Sequence, residues 1–138
     1  MMLYMLDTNA ASEAVRGHPA FDERLKSLPP GQWCISAVTC SEIRFGVAKK
    51  PEAVRLHRIV DEFLRIVPIL PWDAKAANRH GELRADLQAR GLPIGDFDEM
   101  IAAHALAVGA VVVTDNVRHF SRVPGLVLEN WLRPGPGH

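Results

Sequence analysis

The chain switches repeatedly between short apolar runs and stretches of helical periodicity, and this alternation restricts the fold more than any other feature. Leu3–Leu6, Trp33–Ile35, Ile66–Leu70, Ala110–Thr114 and Leu126–Glu129 have strand length, and helix-like segments separate them. Strand–helix alternation brings successive strands parallel, and the helices then cover both faces of the sheet. The expected fold is therefore α/β, a three-layer arrangement with a mainly parallel central sheet of about five short strands flanked by helices. A length of 138 residues fits one domain of ~100–150 residues. Residues 1–133 are expected to form it, leaving 134–138 as a disordered tail, where proline and glycine alternate without apolar anchors.

Local punctuation marks the helices. Thr8 and Asn9 are cap candidates for a first helix that Gly17 can close. Pro19 opens a short second helix, ended by Pro29-Pro30-Gly31. Ser36 is placed to cap a helix running to about Lys49, and Pro51 to start a longer one with Leu56, Ile59, Val60, Phe63 and Leu64 at helical spacing. Pro68 marks the Ile66–Leu70 strand as an edge or a bulge. Asp73 caps a helix from about Ala74 to Arg90 with Gly91 at its end. Asp96 and Glu99 have capping-box spacing at the start of a helix that ends before Gly109.

Composition excludes several classes. Hydrophobic residues make up 48% and charged residues 23%, which is globular rather than disordered or fibrous. No apolar run approaches the ~18 residues of a membrane span, and Met1–Asp7 has no basic leader region, so a soluble cytoplasmic protein is expected. Cys34 and Cys40 match no zinc or redox spacing and are expected to be small buried fillers. Sixteen basic and sixteen acidic residues cancel, so net charge is silent about nucleic acid. Arg44, Lys49, Lys50, Arg55 and Arg58, however, stand against the single acid Glu52. Such a stretch suits phosphate binding and equally suits an ordinary solvated helix face.

The carboxylates carry the chemistry. In a parallel sheet ligands bind beyond the carboxyl ends of the strands. Asp7 follows the first strand, Asp115 follows Ala110–Thr114, Glu42 lies in the helix after Trp33–Ile35, and Asp96 and Asp98 open a further helix. Close carboxylates repel one another unless a cation sits among them. Mg²⁺, with Mn²⁺ as a substitute, takes such oxygen ligands and suits phosphodiester cleavage. No G-x-S-x-G elbow, P-loop or G-x-G-x-x-G offers another route. Each acid also has a plainer role: Asp7 and Asp96 as caps, Asp98 as a first-turn charge, Glu42 as an exposed helix residue. His104 and His80 sit among apolar helix neighbours and read as semi-buried; His119, near the acidic loop, is the histidine to watch.

At this point the segments become recognisable. Met5-Leu6-Asp7-Thr8-Asn9, Ile35-Ser36-Ala37-Val38-Thr39-Cys40-Ser41-Glu42-Ile43 and Ile94-Gly95-Asp96-Phe97-Asp98-Glu99-Met100-Ile101-Ala102-Ala103-His104-Ala105 resemble the first three motifs of PIN-domain ribonucleases. Val112-Val113-Thr114-Asp115-Asn116-Val117-Arg118-His119-Phe120, Val123-Pro124-Gly125-Leu126 and Glu129-Asn130-Trp131 extend the resemblance over Leu3 to about Arg133. Within that family the chain most resembles VapC-type toxins of bacterial type II toxin–antitoxin pairs, and among them the branch that cuts initiator tRNA.

The resemblance implies a PIN-like fold and a Mg²⁺-dependent endoribonuclease acting on RNA, with tRNA and its anticodon loop as the target. It implies Asp7 and Asp98 as metal ligands, Glu42 as a helper to metal or water, and Thr114 as a hydrogen-bonding support. Asn116 stands where many relatives carry aspartate, and Asp115 is expected to take over that fourth acidic role, with Asp96 left to its cap. Arg44, Lys49 and Lys50 are the RNA-binding candidates. A cognate VapB-type antitoxin, a homodimer, and a partner-covered surface around Leu56–Leu64 complete the expectation. Two rivals remain. A haloacid-dehalogenase-like phosphatase needs D-x-D where Asp7-Thr8-Asn9 stands, and a purely RNA- or protein-gripping PIN module would be expected to have lost its acids.

Overall fold

The computed structural model describes residues 2–133. The chain runs β1 (Tyr4–Leu6), α1 (Thr8–Val15), α2 (Pro19–Ser27), β2 (Trp33–Ser36), α3 (Ala37–Ala48), α4 (Val54–Ile66), β3 (Ile69–Leu70), α5 (Ala74–Arg90), α6 (Asp96–Val108), β4 (Val111–Val113), α7 (Val117–Phe120) and β5 (Leu128–Glu129). The five strands form one sheet in the order β3-β2-β1-β4-β5, with every pairing parallel. The expected tail at 134–138 lies outside the described residues.

Strand alternation divides the core into two layers. Tyr4, Leu6, Ile35, Val111 and Val113 face one side, packing with Phe21 of α2, Val60 and Leu64 of α4, and Trp131. Met5, Cys34 and Val112 face the other, against Leu83 and Leu87 of α5, Ile101 of α6, and Phe120. The strands are apolar at nearly every position because both faces are covered. Burial pushes the Cys34 thiol up to about 12, so it stays protonated and acts as packing.

The order matters for function. From β1 the chain winds outward through β2 to β3, then returns to the opposite side of β1 for β4 and β5. Adjacent strand ends that lead their connections in opposite directions leave a crevice, here beyond β1 and β4.

Several expected boundaries move. The helix assigned to Pro51 starts at Val54, because residues 51–53 close a turn in which the amides of Ala53 and Val54 bond to the carbonyls of Lys50 and Glu52. The Ile66–Leu70 strand shrinks to Ile69–Leu70 at the sheet edge: α4 claims Ile66, and Pro68 contributes a carbonyl to Ile35 but has no amide to donate. Asp73 caps α5 as expected, accepting from Ala76 N at 2.9 Å, and Gly91 ends that helix in the left-handed conformation. Asp96 does not cap α6. Gly95, at φ +100°, is the N-cap and makes no side-chain bond, while Asp96 is already the first helical residue. The intended box partner Glu99 turns inward and is buried, 3.7 Å from His80.

Candidate active site

The first strand ends at Leu6, and the next residue turns into the crevice. Asp7 is 2% exposed, and its carboxylate caps α1 by accepting from Ala10 N at 2.8 Å. The cap therefore belongs to Asp7 rather than to Thr8 or Asn9. Across the crevice, Leu6 pairs with Val113, so Asp7 stands level with Thr114, whose side chain hydrogen-bonds to it. The Thr114 hydroxyl oxygen also accepts from Asn116 N at 2.8 Å. The Asn116 side chain then donates to Asp98 Oδ2 at 3.4 Å, and its nitrogen lies 3.0 Å from His119 Nδ1. On the other flank, the Thr8 hydroxyl donates to Glu42 on α3. Side chains from four separate segments are linked from Glu42 to His119.

Burial and mutual repulsion leave their mark on these acids. The Asp7 carboxyl is pushed up to about 6, first by burial and then by the charges of Asp98 and Glu42, against the lowering hydrogen bonds of Thr114 and Ala10. Asp98 is also raised, by burial and by Glu42, with Asn116 and His119 working the other way. The three carboxylates thus share one electrostatic environment that is short of positive charge.

Asp115 does not join them. β4 ends at Val113 and the chain bends at Asp115, so its side chain leaves the crevice while Thr114 and Asn116 on either side of it bond to Asp7 and Asp98. Asp115 is exposed, accepts from Asn130 Nδ2 at 2.9 Å and pairs with Arg133 at 3.3 Å, in a cleft that also contains Arg16 and Phe21. Asp96 is exposed in the first turn of α6. The basic candidates are also divided: Arg44 pairs with Asp61 of α4 at 2.5 Å, Lys49 lies over the Phe45 ring, and Lys50 lines a groove between α1 and α3 with Thr8, Arg16 and Glu42.

Behind the site, His104 is fully buried rather than semi-buried. Its Nδ1 lies 2.7 Å from the Ser36 hydroxyl, whose oxygen caps α3 by accepting from Val38 N at 3.1 Å. Burial lowers the His104 pKa, so the neutral ring can accept the hydroxyl proton and tie α6 to the start of α3. This contact and the Thr8–Glu42 bond were not anticipated from the sequence. The threonine that follows Asp7 in the first motif was the signal for the second; no local pattern announces the first.

With this geometry in view, comparison with known proteins places the chain. The PIN-domain family model matches residues 4–126. The chain belongs to the PIN-domain family. This PIN domain is 39% identical over 131 residues to the tRNA(fMet)-specific endonuclease VapC of Shigella flexneri, covering 95% of this chain and 99% of that one. It is also 39% identical over 132 residues to ribonuclease VapC2 of Rickettsia felis, covering 94% and 98%. Among solved structures, DNA-bound VapBC from Salmonella typhimurium aligns with TM-score 0.88 and 38% identity over 95% of this chain and 99% of that one. VapBC2 from Rickettsia felis, bound to a promoter DNA fragment, aligns with TM-score 0.87 and 38% identity over 94% and 99%.

Proposed function

We propose that this PIN domain is a divalent-metal-dependent endoribonuclease, the toxin of a VapBC-type toxin–antitoxin pair, and that its substrate is initiator tRNA, cut in the anticodon loop. The convergence of Asp7, Glu42 and Asp98 at the sheet crevice carries this reading. The donor set fits a hard cation: hydrogen-bonded carboxylates, one of them buried, whose shared repulsion a cation would relieve. Among the described residues no group of three His, Cys, Asp or Glu encloses a metal position. Mg²⁺ keeps several waters and binds through one or two carboxylates, so it does not require such a group, and Mn²⁺ can stand in for it.

Asp7 and Asp98 would hold the cation. When bound, it supplies a more acidic water and charge compensation at a phosphoryl oxygen. Thr114 keeps the Asp7 carboxylate from rotating, and the Asn116 amide does the same for Asp98. Glu42, oriented by the Thr8 hydroxyl, has the remaining carboxylate to accept a proton from the attacking water. The fourth position of the family is filled here by a neutral amide, so Asn116 positions and three acids carry the charge.

Loops are where RNA bases are splayed and can be read, and the tRNA assignment rests on what the Shigella flexneri relative is called. The exposed groove lined by Val15, Leu25, Trp33, Ile59, Phe63 and Ile66 between α1, α2 and α4 is the surface for an antitoxin of VapB type, and the toxin itself is a homodimer. No helix among the described residues is long and apolar enough to cross a membrane. The test is cleavage of purified initiator and elongator tRNAs with Mg²⁺ and with excess EDTA. Metal-dependent cuts confined to the initiator anticodon loop are expected. Cleavage that persists in EDTA, or in an Asp7→Asn variant, overturns the metal nuclease; cutting of messenger RNA with every tRNA intact overturns the target.

A further inference from the structure

The chain has five phenylalanines, three tryptophans and one tyrosine. All but two of these rings are buried or half-buried; the exceptions are Phe45, 64% exposed, and Phe97, 53% exposed. Scattered exposed apolar residues need no explanation. The placement of these two does, because each lies on a helix that carries one of the acids of the proposed site. Phe97 immediately precedes Asp98 in the first turn of α6, where Gly95, at φ +100°, brings the chain into the helix. Phe45 follows Glu42 by one helical turn on α3, so the two share a side of that helix. Lys49, one turn further, holds its ammonium 4.7 Å from the centre of the Phe45 ring. Each of the two helices that bring an acid to the crevice therefore also presents one solvent-facing ring.

The geometry points to Phe45 and Phe97 as stacking platforms for unpaired nucleobases on either side of the scissile phosphate, with Lys49 beside the first ring as the contact for the neighbouring phosphate. This deepens the nuclease reading and rests on it. A face-exposed ring offers every base a partner, whereas the paired and stacked bases of a duplex cannot reach it. Burying a phenyl group is favourable, and these two rings leave that contribution for the bound state. Acidic side chains repel an RNA backbone, so a site built on three carboxylates gains from an attraction that does not depend on charge, and stacking supplies it. The selected RNA is single-stranded on both sides of the cut, which a tRNA anticodon loop satisfies.

The test measures binding without cleavage. A fluorescein-labelled single-stranded RNA oligonucleotide and a duplex of the same sequence are titrated with the 138-residue chain carrying Asp7→Asn, in EDTA. Phe45→Leu and Phe97→Leu keep an apolar side chain but remove the ring; Phe45→Tyr and Phe97→Tyr keep the ring. Each leucine variant is expected to weaken single-strand binding roughly 10-fold or more, with the tyrosines restoring it and weak duplex binding unchanged. Leucine variants that bind like the parent overturn the proposal, and sedimentation of the same samples identifies a second copy of the chain as the occupant if those variants dissociate a dimer. Loss that tyrosine does not restore also overturns it. If the parent binds no single-stranded RNA, the nuclease reading fails together with the platforms.

Discussion

Two aspartates follow neighbouring strands of one sheet and end in opposite environments. Asp7 comes directly after β1; Asp115 lies one residue beyond Thr114 at the end of β4. Asp7 is buried among hydrogen bonds and like charges, and its carboxyl is held near 6. Asp115 is solvated and paired with Arg133 and Asn130. The parallel register and the turn after it account for the difference: Leu6 sits opposite Val113, so the residue level with Asp7 is Thr114, and beyond β4 the chain bends at Asp115, whose side chain meets Asn130 and Arg133 instead. Lying near a strand end does not make a carboxylate part of the site. The partners its side chain meets there do.

The largest effect should come from removing charge on the crevice side. Asp7→Asn and Asp98→Asn are expected to lower single-turnover RNA cleavage at saturating Mg²⁺ by at least ~100-fold, since even outer partners of a metal are worth 10–100-fold. Either variant cleaving within a few-fold of wild type would mean that the substituted aspartate has a structural role and nothing more.

The same substitution should have the opposite sign on stability. Asp7 ionises near 6 when folded and near 3.8 as an ordinary carboxyl, so the folded state holds its proton more tightly. Below about pH 3.8 the group is protonated in both states and contributes nothing. Stability is lost as pH rises from there to about 6, and the cost is complete above it. Two units at 1.36 kcal/mol each give a cost on the order of 3 kcal/mol at pH 7. Asparagine caps a helix about as well as aspartate, so in EDTA the Asp7→Asn protein should be more stable by ~1–3 kcal/mol at pH 7. Urea unfolding at pH 7 and pH 3.5 checks this: a gain at pH 7 that vanishes at pH 3.5 is expected, and equal stability at both would show that the crevice imposes no penalty on the charge.

Much of this was legible from residue patterns. All five strands were found, two of them shortened to two residues, because all-apolar runs separated by helical periodicity have few other solutions, and α5 because Asp73 and Gly91 bracket it with opposite end preferences. Where two local signals competed, reading failed. Asp96 and Glu99 have the spacing of a capping box, but Gly95 takes the cap position and Glu99 is drawn into the core beside His80. The start of α4 was missed because Ala53 offers no capping side chain. In the site, the strand and helix order directed Asp7, Glu42, Asp96, Asp98 and Asp115 alike to one end of the sheet, and only the family resemblance singled out Asp7, Glu42 and Asp98, whereas the hydrogen bond between His104 and Ser36 joins residues 68 positions apart and leaves no trace in local spacing.

The positioning amide lies between these extremes. Asn116→Ala removes the donor to Asp98 without changing charge, so roughly 10-fold slower cleavage is expected, through a raised Mg²⁺ requirement rather than weaker RNA binding. Metal titration at fixed RNA, compared with RNA titration at saturating metal, separates the two; a change confined to RNA affinity would move Asn116 from the metal side of the site to the substrate side.

Asp115→Asn should do least. Its side chain is over one-third exposed and its partner Arg133 is 80% exposed, so the ion pair between them is screened by water. Exposed pairs of this kind contribute ~0–1 kcal/mol, and asparagine keeps an oxygen to accept from Asn130. Cleavage should stay within about threefold of wild type, with a stability change near the ~0.5 kcal/mol typical of surface substitutions. Asp115 adjoins Thr114, so a small effect through the backbone of that turn would also reach Asp7. Single-turnover rates for Asp115→Asn and Asp115→Ala distinguish this from direct participation: alanine should be slower than asparagine only if the bond to Asn130 holds the turn. If both variants lose activity equally, and as severely as Asp98→Asn, the charge itself is required and the bend at Asp115 no longer separates the two aspartates.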